Sequence, residues 1–127
     1  MLDVRASASG SADFPGADTE RPIDLVHLAR MTLGDRSLER EVLQLFVRQS
    51  AVLLSRMKAA EPNAIAGLAH TLKGSARGLG AWRVACAAEA AELAPDMSAD
   101  ALTAALSNLR AAVEQAQTVI TDLLRTN

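Results

Sequence analysis

Hydrophobic residues recur at intervals of three and four positions from about residue 23 to the C-terminal end of the chain. This is the spacing of α-helices that bury one face, and no stretch shows the two-residue alternation of a β-strand. Gly34, Pro62, Gly80 and Pro95 divide the repeat into separate segments, because glycine and proline commonly stand where helices end. The pattern therefore predicts an all-α protein.

The segments predict a short N-terminal helix followed by four substantial ones. The first four span residues 23–33, 36–60, 63–79 and 82–94, and a last helix begins at Ser98 and includes Leu123. Asp35 and Asn63 are the predicted N-caps of the second and third helices. Because the connections are short, we expect an antiparallel four-helix bundle in which the additional N-terminal helix covers one end.

Two helices have well-marked apolar seams. The predicted seam of the second helix consists of Leu38, Val42, Leu45, Phe46, Val52, Leu53 and Met57. That of the last helix is close to a heptad repeat and consists of Leu102, Leu106, Leu109, Val113, Ala116, Ile120 and Leu123. Gln49 interrupts the former seam and is predicted to lie at the margin of the core. Trp82 is expected to pack at a helix end, and Cys86 is expected to be a small buried side chain.

The length and composition fit a single domain. The chain has 127 residues, 50% of them hydrophobic, which is enough for one core and too little for a kinase domain beside the bundle. Residues 1–20 are rich in Ser, Ala, Gly, Asp and Pro without periodicity, which predicts a disordered tail. The bundle domain is accordingly assigned to residues 21–127.

Charge and cysteine content exclude several classes of protein. Lys and Arg number 13 against 15 Asp and Glu, a net charge of −2, so no general basic field favours nucleic acid. The one cysteine cannot form an internal disulfide and suits a reducing compartment. No apolar run reaches the roughly 20 residues that a membrane-spanning helix requires. We therefore expect a soluble, cytoplasmic protein that acts as a monomer.

The candidate chemistry lies in the stretch from Ala69 to Gly80. On a helix, His70, Lys73, Gly74 and Arg77 would lie opposite the apolar stripe. That stripe consists of Ile65, Leu68, Leu72, Ala76 and Leu79. The histidine is therefore predicted to face water beside two cations that have no carboxylate among their nearest neighbours on the same helix.

Small residues surround the histidine. A glycine in a helix interior costs about 0.5–1 kcal/mol relative to alanine, so Gly74, one turn beyond His70, needs a reason to be there. Gly67 and Ala66 are likewise small on the N-terminal side. We interpret these small residues as leaving open space beside the imidazole, which a larger side chain at position 74 would crowd. An uncrowded imidazole beside positive charge suits a group that must accept an anion.

The residues His70 to Gly80, His-Thr-Leu-Lys-Gly-Ser-Ala-Arg-Gly-Leu-Gly, closely resemble the hallmark of the histidine-containing phosphotransfer (HPt) domains of bacterial multi-step phosphorelays. That hallmark is a helix with His-x-x-Lys-Gly in a longer run of this kind. The resemblance extends more loosely over residues 23–93 and includes a glutamate at Glu89. The longer match is specific, whereas a bare five-residue motif recurs by chance.

The resemblance implies a phosphorelay intermediate without kinase activity of its own. In the family, Nε2 of the histidine takes a phosphoryl group from the aspartyl phosphate of a receiver domain, including that of a hybrid sensor histidine kinase, and passes it to the aspartate of another response-regulator receiver. By resemblance, His70 is phosphorylated and Lys73 contacts the phosphoryl oxygens, while Arg77 is a secondary candidate. The protein would need no cofactor, because the receiver brings Mg²⁺.

Some residues and rival functions stay open. Glu92 falls where some family members carry a neutral amide near the histidine, and because a carboxylate would oppose a phosphoryl group we do not expect that contact here. His27 has no matching motif and is interpreted as an ordinary histidine near the bundle surface. The alternatives are a metal- or haem-binding bundle, with His27 and His70 as haem ligands, and a docking adaptor that keeps the fold without being phosphorylated.

Overall fold

A computed structural model describes residues 21–126, which are predominantly helical and contain no strand. The helices are α1 (Leu25–Met31), α2 (Arg36–Met57), α3 (Pro62–Leu79), α4 (Trp82–Ala91) and α5 (Ala99–Thr126), with a 3₁₀ turn at Ala94–Asp96. The predicted all-α fold is confirmed. The predicted tail, residues 1–20, lies outside the described part of the chain. None of the described helices has the length and apolar content needed to cross a bilayer.

The hydrogen bonds between helices show the antiparallel order of the bundle. The Arg40 guanidinium, near the start of α2, donates to the carbonyl of Leu124, near the end of α5, at 3.0 Å. Further along, the amide of Gln117 in α5 donates to the hydroxyl of Ser50 in α2 at 3.4 Å. The two helices therefore run in opposite directions. Only two residues connect α3 to α4, which forces the same reversal there.

The core lies between α2, α3, α4 and α5, and it differs from the predicted seam in α2. The residues that α2 buries are Leu43, Phe46, Ser50, Leu53 and Met57. Leu38, Leu45 and Val52, which were predicted to be in the seam, are 39%, 56% and 50% exposed. The reason is Ser50, which is fully buried and whose hydroxyl donates to the Val47 carbonyl at 3.2 Å. Because serine is polar, the stripe that contains Ser50 was not recognised as the buried face, and the neighbouring stripe with Leu45 and Val52 was predicted instead.

Buried Asp24 fastens α1 to the turn between α3 and α4. Its carboxylate accepts from the backbone N–H of His27 at 3.1 Å and from Trp82 Nε1 at 2.9 Å, and its own N–H donates to the Gly80 carbonyl. Gly80 has φ +87°, and a Cβ there would lie 2.9 Å from the Asp24 carbonyl oxygen. The turn therefore requires glycine both for its conformation and for the close approach of the preceding chain.

Several helix ends differ from the prediction. Asp35 caps α2 as expected, accepting from the N–H of Leu38 at 3.1 Å. Pro62, however, does not follow the second helix as a stop signal but begins α3, with Glu61 rather than Asn63 at the N-cap. Proline suits the first turn of a helix because its missing N–H would have no partner there. Similarly, α1 and α4 end two to three residues before the predicted positions.

Cys86 is exposed, so the prediction of a buried thiol was wrong. Helix α4 packs against both α3 and α5. The side chains that it buries are Trp82, Val84, Ala85, Ala88 and Ala91. Position 86 lies outside that set. The prediction failed because alanine occupies both inner and outer positions of α4, so the sequence does not show which side is buried.

Candidate functional site

Helix α3 presents His70 to solvent because its other face is packed into the core. The residues that it buries are Ile65, Ala69, Leu72, Ala76 and Leu79. Leu68, which was predicted to belong to this stripe, is only half-buried, and Ala69 takes the inner position beside it. The His70 side chain is 72% exposed on the opposite side of the helix. Its imidazole therefore stands on a rigid element within reach of a second protein.

Helix α4 supplies carboxylates that the sequence pattern of α3 does not contain. Glu92, the C-cap residue of α4, forms an ion pair with Lys73, and Glu89 lies 3.5 Å from the Arg77 guanidinium. The Lys73 side chain is only 14% exposed, so the expectation of a free, exposed lysine is wrong. Lys73 and Arg77 lack acidic neighbours along α3, but each forms an ion pair with a carboxylate from the antiparallel α4 segment.

Glu92 also contacts His70 directly, which corrects the expectation that this contact would be absent. Its Oε1 lies 3.1 Å from Nδ1 of His70. The pKa of Glu92 is lowered below its ordinary value, mainly by Lys73 and further by His70, while burial opposes the shift. An ionised carboxylate has no proton to donate, so Nδ1 must be the donor in this hydrogen bond. In the neutral ring, the free lone pair then belongs to Nε2.

Three glycines lie on the flank of α3 that faces away from α4: Gly67, Gly74 and Gly78. A Cβ built at any of them meets no atom within 4 Å. A methyl group at Gly74 would therefore leave the imidazole uncrowded, so any crowding would have to come from a longer side chain, and internal packing does not require glycine at these positions. The small side chains keep space open outside the molecule. Gly78 was not among the small residues predicted to lie beside the imidazole, although its spacing from the other two glycines places it on the same flank. Ala66, one turn before His70, is half-buried.

An apolar groove of about 290 Å³ opens beside the glycine flank. Its walls come from α1, α2 and the C-terminal half of α3, and they include Leu28, Met31, Leu45, Phe46, Ser75 and Gly78. Met31 and Leu45 are 57% and 56% exposed. Leu38, Val42 and Leu45, which α2 does not fully bury, thus form part of a surface next to the histidine helix. Gln49 lines this groove, and no hydrogen bond from it reaches His70 among the described residues.

His27 lies at the other end of α4 from His70. Its ring contacts Trp82, the first residue of α4, with ring centroids 4.8 Å apart, whereas His70 contacts Glu92, just beyond the last residue. Ten residues of helix separate these contacts by about 15 Å. The two histidines therefore cannot ligate one haem iron in this fold. Within residues 21–126, no three His, Cys, Asp or Glu side chains are grouped as metal ligands.

The family model of the Hpt domain matches residues 41–119 of this chain. The match covers more than half of the sequence and includes α3, α4 and the contacts around His70. The chain belongs to the Hpt domain family, whose members carry phosphoryl groups on histidine in phosphorelays. Neither the search of curated proteins nor the search of solved structures found a match.

Proposed function

We propose that this protein accepts a phosphoryl group on Nε2 of His70 from the aspartyl phosphate of a receiver domain and passes it to the aspartate of another receiver. The observation that carries the proposal is the exposed imidazole whose Nδ1 is engaged by Glu92 at 3.1 Å. That contact leaves Nε2 as the nucleophilic atom, and Lys73 lies one turn further along the same helix. Membership of the Hpt family supports the same chemistry.

The transfer needs little from this chain beyond a positioned nucleophile and nearby positive charge. The Nε2 lone pair attacks phosphorus, an N–P bond forms, and the bond from phosphorus to the aspartate oxygen breaks, releasing the receiver carboxylate. Lys73, one turn beyond His70 on α3, is the candidate to contact the incoming phosphoryl oxygens, and Arg77 lies one turn beyond it. Positioning and electrostatic stabilisation are the main contributions of protein groups to phosphoryl transfer. Mg²⁺ would be brought by the receiver, as a partner component rather than a ligand of this chain.

We further propose that the receiver docks on the glycine flank of α3 and covers the adjoining apolar groove. Gly67 and Gly74 lie in the helix interior, where each costs about 1 kcal/mol of helix propensity relative to alanine, and no internal contact requires glycine there or at Gly78 in the last turn. Exposed Met31 and Leu45 supply apolar area for a partner to bury beside that flank. Both observations are accounted for if another protein surface approaches there. This role would suit a cytoplasmic monomer, with the receiver of a hybrid sensor histidine kinase as one partner.

The direct test is phosphorylation of the full chain by purified, phosphorylated receiver domains. His70→Gln should abolish labelling without loss of helicity, because the side chain is exposed and lies outside the core. The matched control is His27→Gln, since His27 lies at the far end of α4 and should not be needed for labelling.

Acid-labile, base-stable label on the wild type and its loss in His70→Gln would support the proposal. Label that persists in His70→Gln would overturn the assignment of the phosphorylated residue. If the wild type binds receivers without ever becoming labelled, the chain is instead a docking adaptor that retains the Hpt fold.

A further inference from the structure

A groove opens between α4 and α5, on residues of α4 other than those that pair with α3. Its volume is about 480 Å³, and it is lined by Trp82, Arg83, Cys86, Ala87, Asn108 and Ala112. Most of the surface inside it is apolar. The receiver that we place on α3 approaches the flank that faces away from α4, so it would leave this groove uncovered. Apolar surface of this kind is typical of a site that another segment or molecule covers.

The chain passes beside this groove as it leads into α1. The Asp24 carboxylate accepts from Trp82 Nε1 at 2.9 Å, and Trp82 lines the groove. The residues that precede Asp24 are therefore tethered next to it. Phe14 lies ten positions before Asp24, and ten residues span up to about 33 Å, whereas the helix from Trp82 to Ala87 rises by only about 8 Å. The tether is long enough for Phe14 to reach any part of the groove.

The N-terminal segment contains one side chain that suits such a groove. Phe14 is the only aromatic residue in positions 1–20, and Pro15 follows it. An aromatic side chain buries about 150–250 Å² when it enters an apolar site. Proline disfavours the helical conformation in the residue before it, so Phe14 has less conformational freedom to lose on binding. The sequence around Phe14 therefore fits an anchor for a groove.

Charge complementarity favours the same pairing. Residues 1–20 contain four acidic side chains and one arginine, a net charge of −3. Two of the acidic residues, Asp13 and Asp18, flank Phe14. Within the part of the chain that the structure describes, Arg83 is the only charged side chain that lines the groove. An aromatic residue between carboxylates thus matches an apolar groove beside a guanidinium.

We propose that residues 13–18 of this chain bind in the groove between α4 and α5, with Phe14 against Trp82. The flanking carboxylates then lie near Arg83, and the chain that leads into α1 gains a second attachment to α4. The inference is independent of the proposed function, because His70 and the carboxylate that contacts it do not line this groove.

The groove contains its own reporter, because Cys86 is the only cysteine in the chain. Its thiol is exposed, and the bound segment would cover it. The test compares the rates at which excess iodoacetamide alkylates the full chain of the wild type, Phe14→Ala and Val4→Ala. Iodoacetamide is uncharged, so the acidic segment does not repel it. Val4→Ala is the matched control, since it shortens another apolar side chain of the N-terminal segment outside the proposed anchor.

A segment that covers the thiol for about nine-tenths of the time slows alkylation about tenfold, because the reaction proceeds through the uncovered form. We therefore expect Phe14→Ala to react about tenfold faster than the wild type, and Val4→Ala to react at the wild-type rate. Equal rates for the wild type and Phe14→Ala would overturn the inference. A wild-type rate that falls as the protein concentration rises would also overturn it, and would assign the groove to a second copy of the chain.

A second measurement needs no substitution. In the wild type, nuclear Overhauser effects are expected between the ring protons of Phe14 and the methyl groups of Ala87 and Ala112, which line the groove. Absence of a contact from Phe14 to either methyl group would overturn the inference, even if Phe14→Ala proved less helical than the wild type.

Discussion

Substitution of Gly74 should raise the stability of the protein while slowing phosphoryl transfer. Gly74 lies in the interior of α3, and an added Cβ would meet no atom within 4 Å. Alanine at such a position gains about 0.8–1.0 kcal/mol of helix propensity over glycine, with no packing cost to subtract. Glutamine gains slightly less, but its longer side chain projects into the space that we assign to the receiver.

The expected stability change is large enough to measure. For a domain of about 100 residues, 1 kcal/mol corresponds to a shift of about 4 °C in Tm. Gly74→Ala should therefore melt a few degrees above the wild type, and Gly74→Gln should melt no lower than the wild type. If docking of Gly74→Gln loses about 1.4 kcal/mol, transfer at low receiver concentration should be about tenfold slower. A higher receiver concentration should recover part of that loss.

Gly80→Ala is the control for the stability argument. Its φ of +87° opposes a side chain there, and so does the Asp24 carbonyl oxygen, which would lie only 2.9 Å from an added Cβ. The left-handed conformation alone costs about 1–2 kcal/mol for a residue other than glycine. Gly80→Ala should accordingly lower Tm, whereas Gly74→Ala should raise it.

Thermal unfolding followed by circular dichroism and transfer followed by phosphate label test the two properties separately. If Gly74→Ala melts below the wild type, the glycine has an internal role that the open space around it does not reveal. If Gly74→Gln transfers as fast as the wild type at low receiver concentration, the glycine flank is not where the receiver docks.

Two further substitutions probe the ends of α4. Lys73→Ala removes the partner of Glu92 and should cost no more than about 1 kcal/mol of stability, the usual range for a partly exposed ion pair, yet slow transfer even in high salt. Rescue by salt or by saturating receiver would make Lys73 a docking residue instead, and Lys73→Arg should retain part of the rate. Trp82→Phe removes the 2.9 Å hydrogen bond to the buried Asp24 carboxylate and should cost about 1.5–3 kcal/mol in denaturant unfolding, with transfer unaffected. An unchanged unfolding free energy would show that this hydrogen bond does not hold α1 in place.

The helices and the position of the histidine were predictable because local signals agree there. Helix α3 has a strong apolar period and a glycine in the left-handed conformation just after its last residue. These features place His70 on the outer face without any knowledge of the neighbouring helices. The same reasoning failed in α2, where buried Ser50 broke the apolar stripe and exposed Leu45 and Val52 suggested a different one. The Ser50 hydroxyl donates to a carbonyl of its own helix and accepts from Gln117 across the bundle, and the sequence does not distinguish such a hydroxyl from one in solvent.

The charge balance of the site could not be predicted from α3 alone. Lys73 and Glu92 are far apart in sequence, and their pairing depends on the register between two antiparallel helices. Rules for neighbours three and four residues apart describe one helix and contain no information on such register. The sequence did indicate that Glu92 falls near the site, but the sign of its interaction was judged against a phosphoryl group rather than against the imidazole and the lysine that it contacts.

Packing of α4 divides the exposed face of α3 into two sides, and this division determines how a partner can approach His70. On one side, Glu92 pairs with the mostly buried Lys73, and Glu89 pairs with Arg77 at the surface, so a receiver docking there would have to break two ion pairs. On the other side, Gly74 and Gly78 leave open space that continues into the apolar groove. Because Nδ1 is held on the α4 side by Glu92, the lone pair of Nε2 is directed away from that carboxylate. The exposed imidazole thus offers Nε2 to solvent on a part of the ring that Glu92 does not contact. A ring held in one orientation has part of the positioning that a transfer step requires.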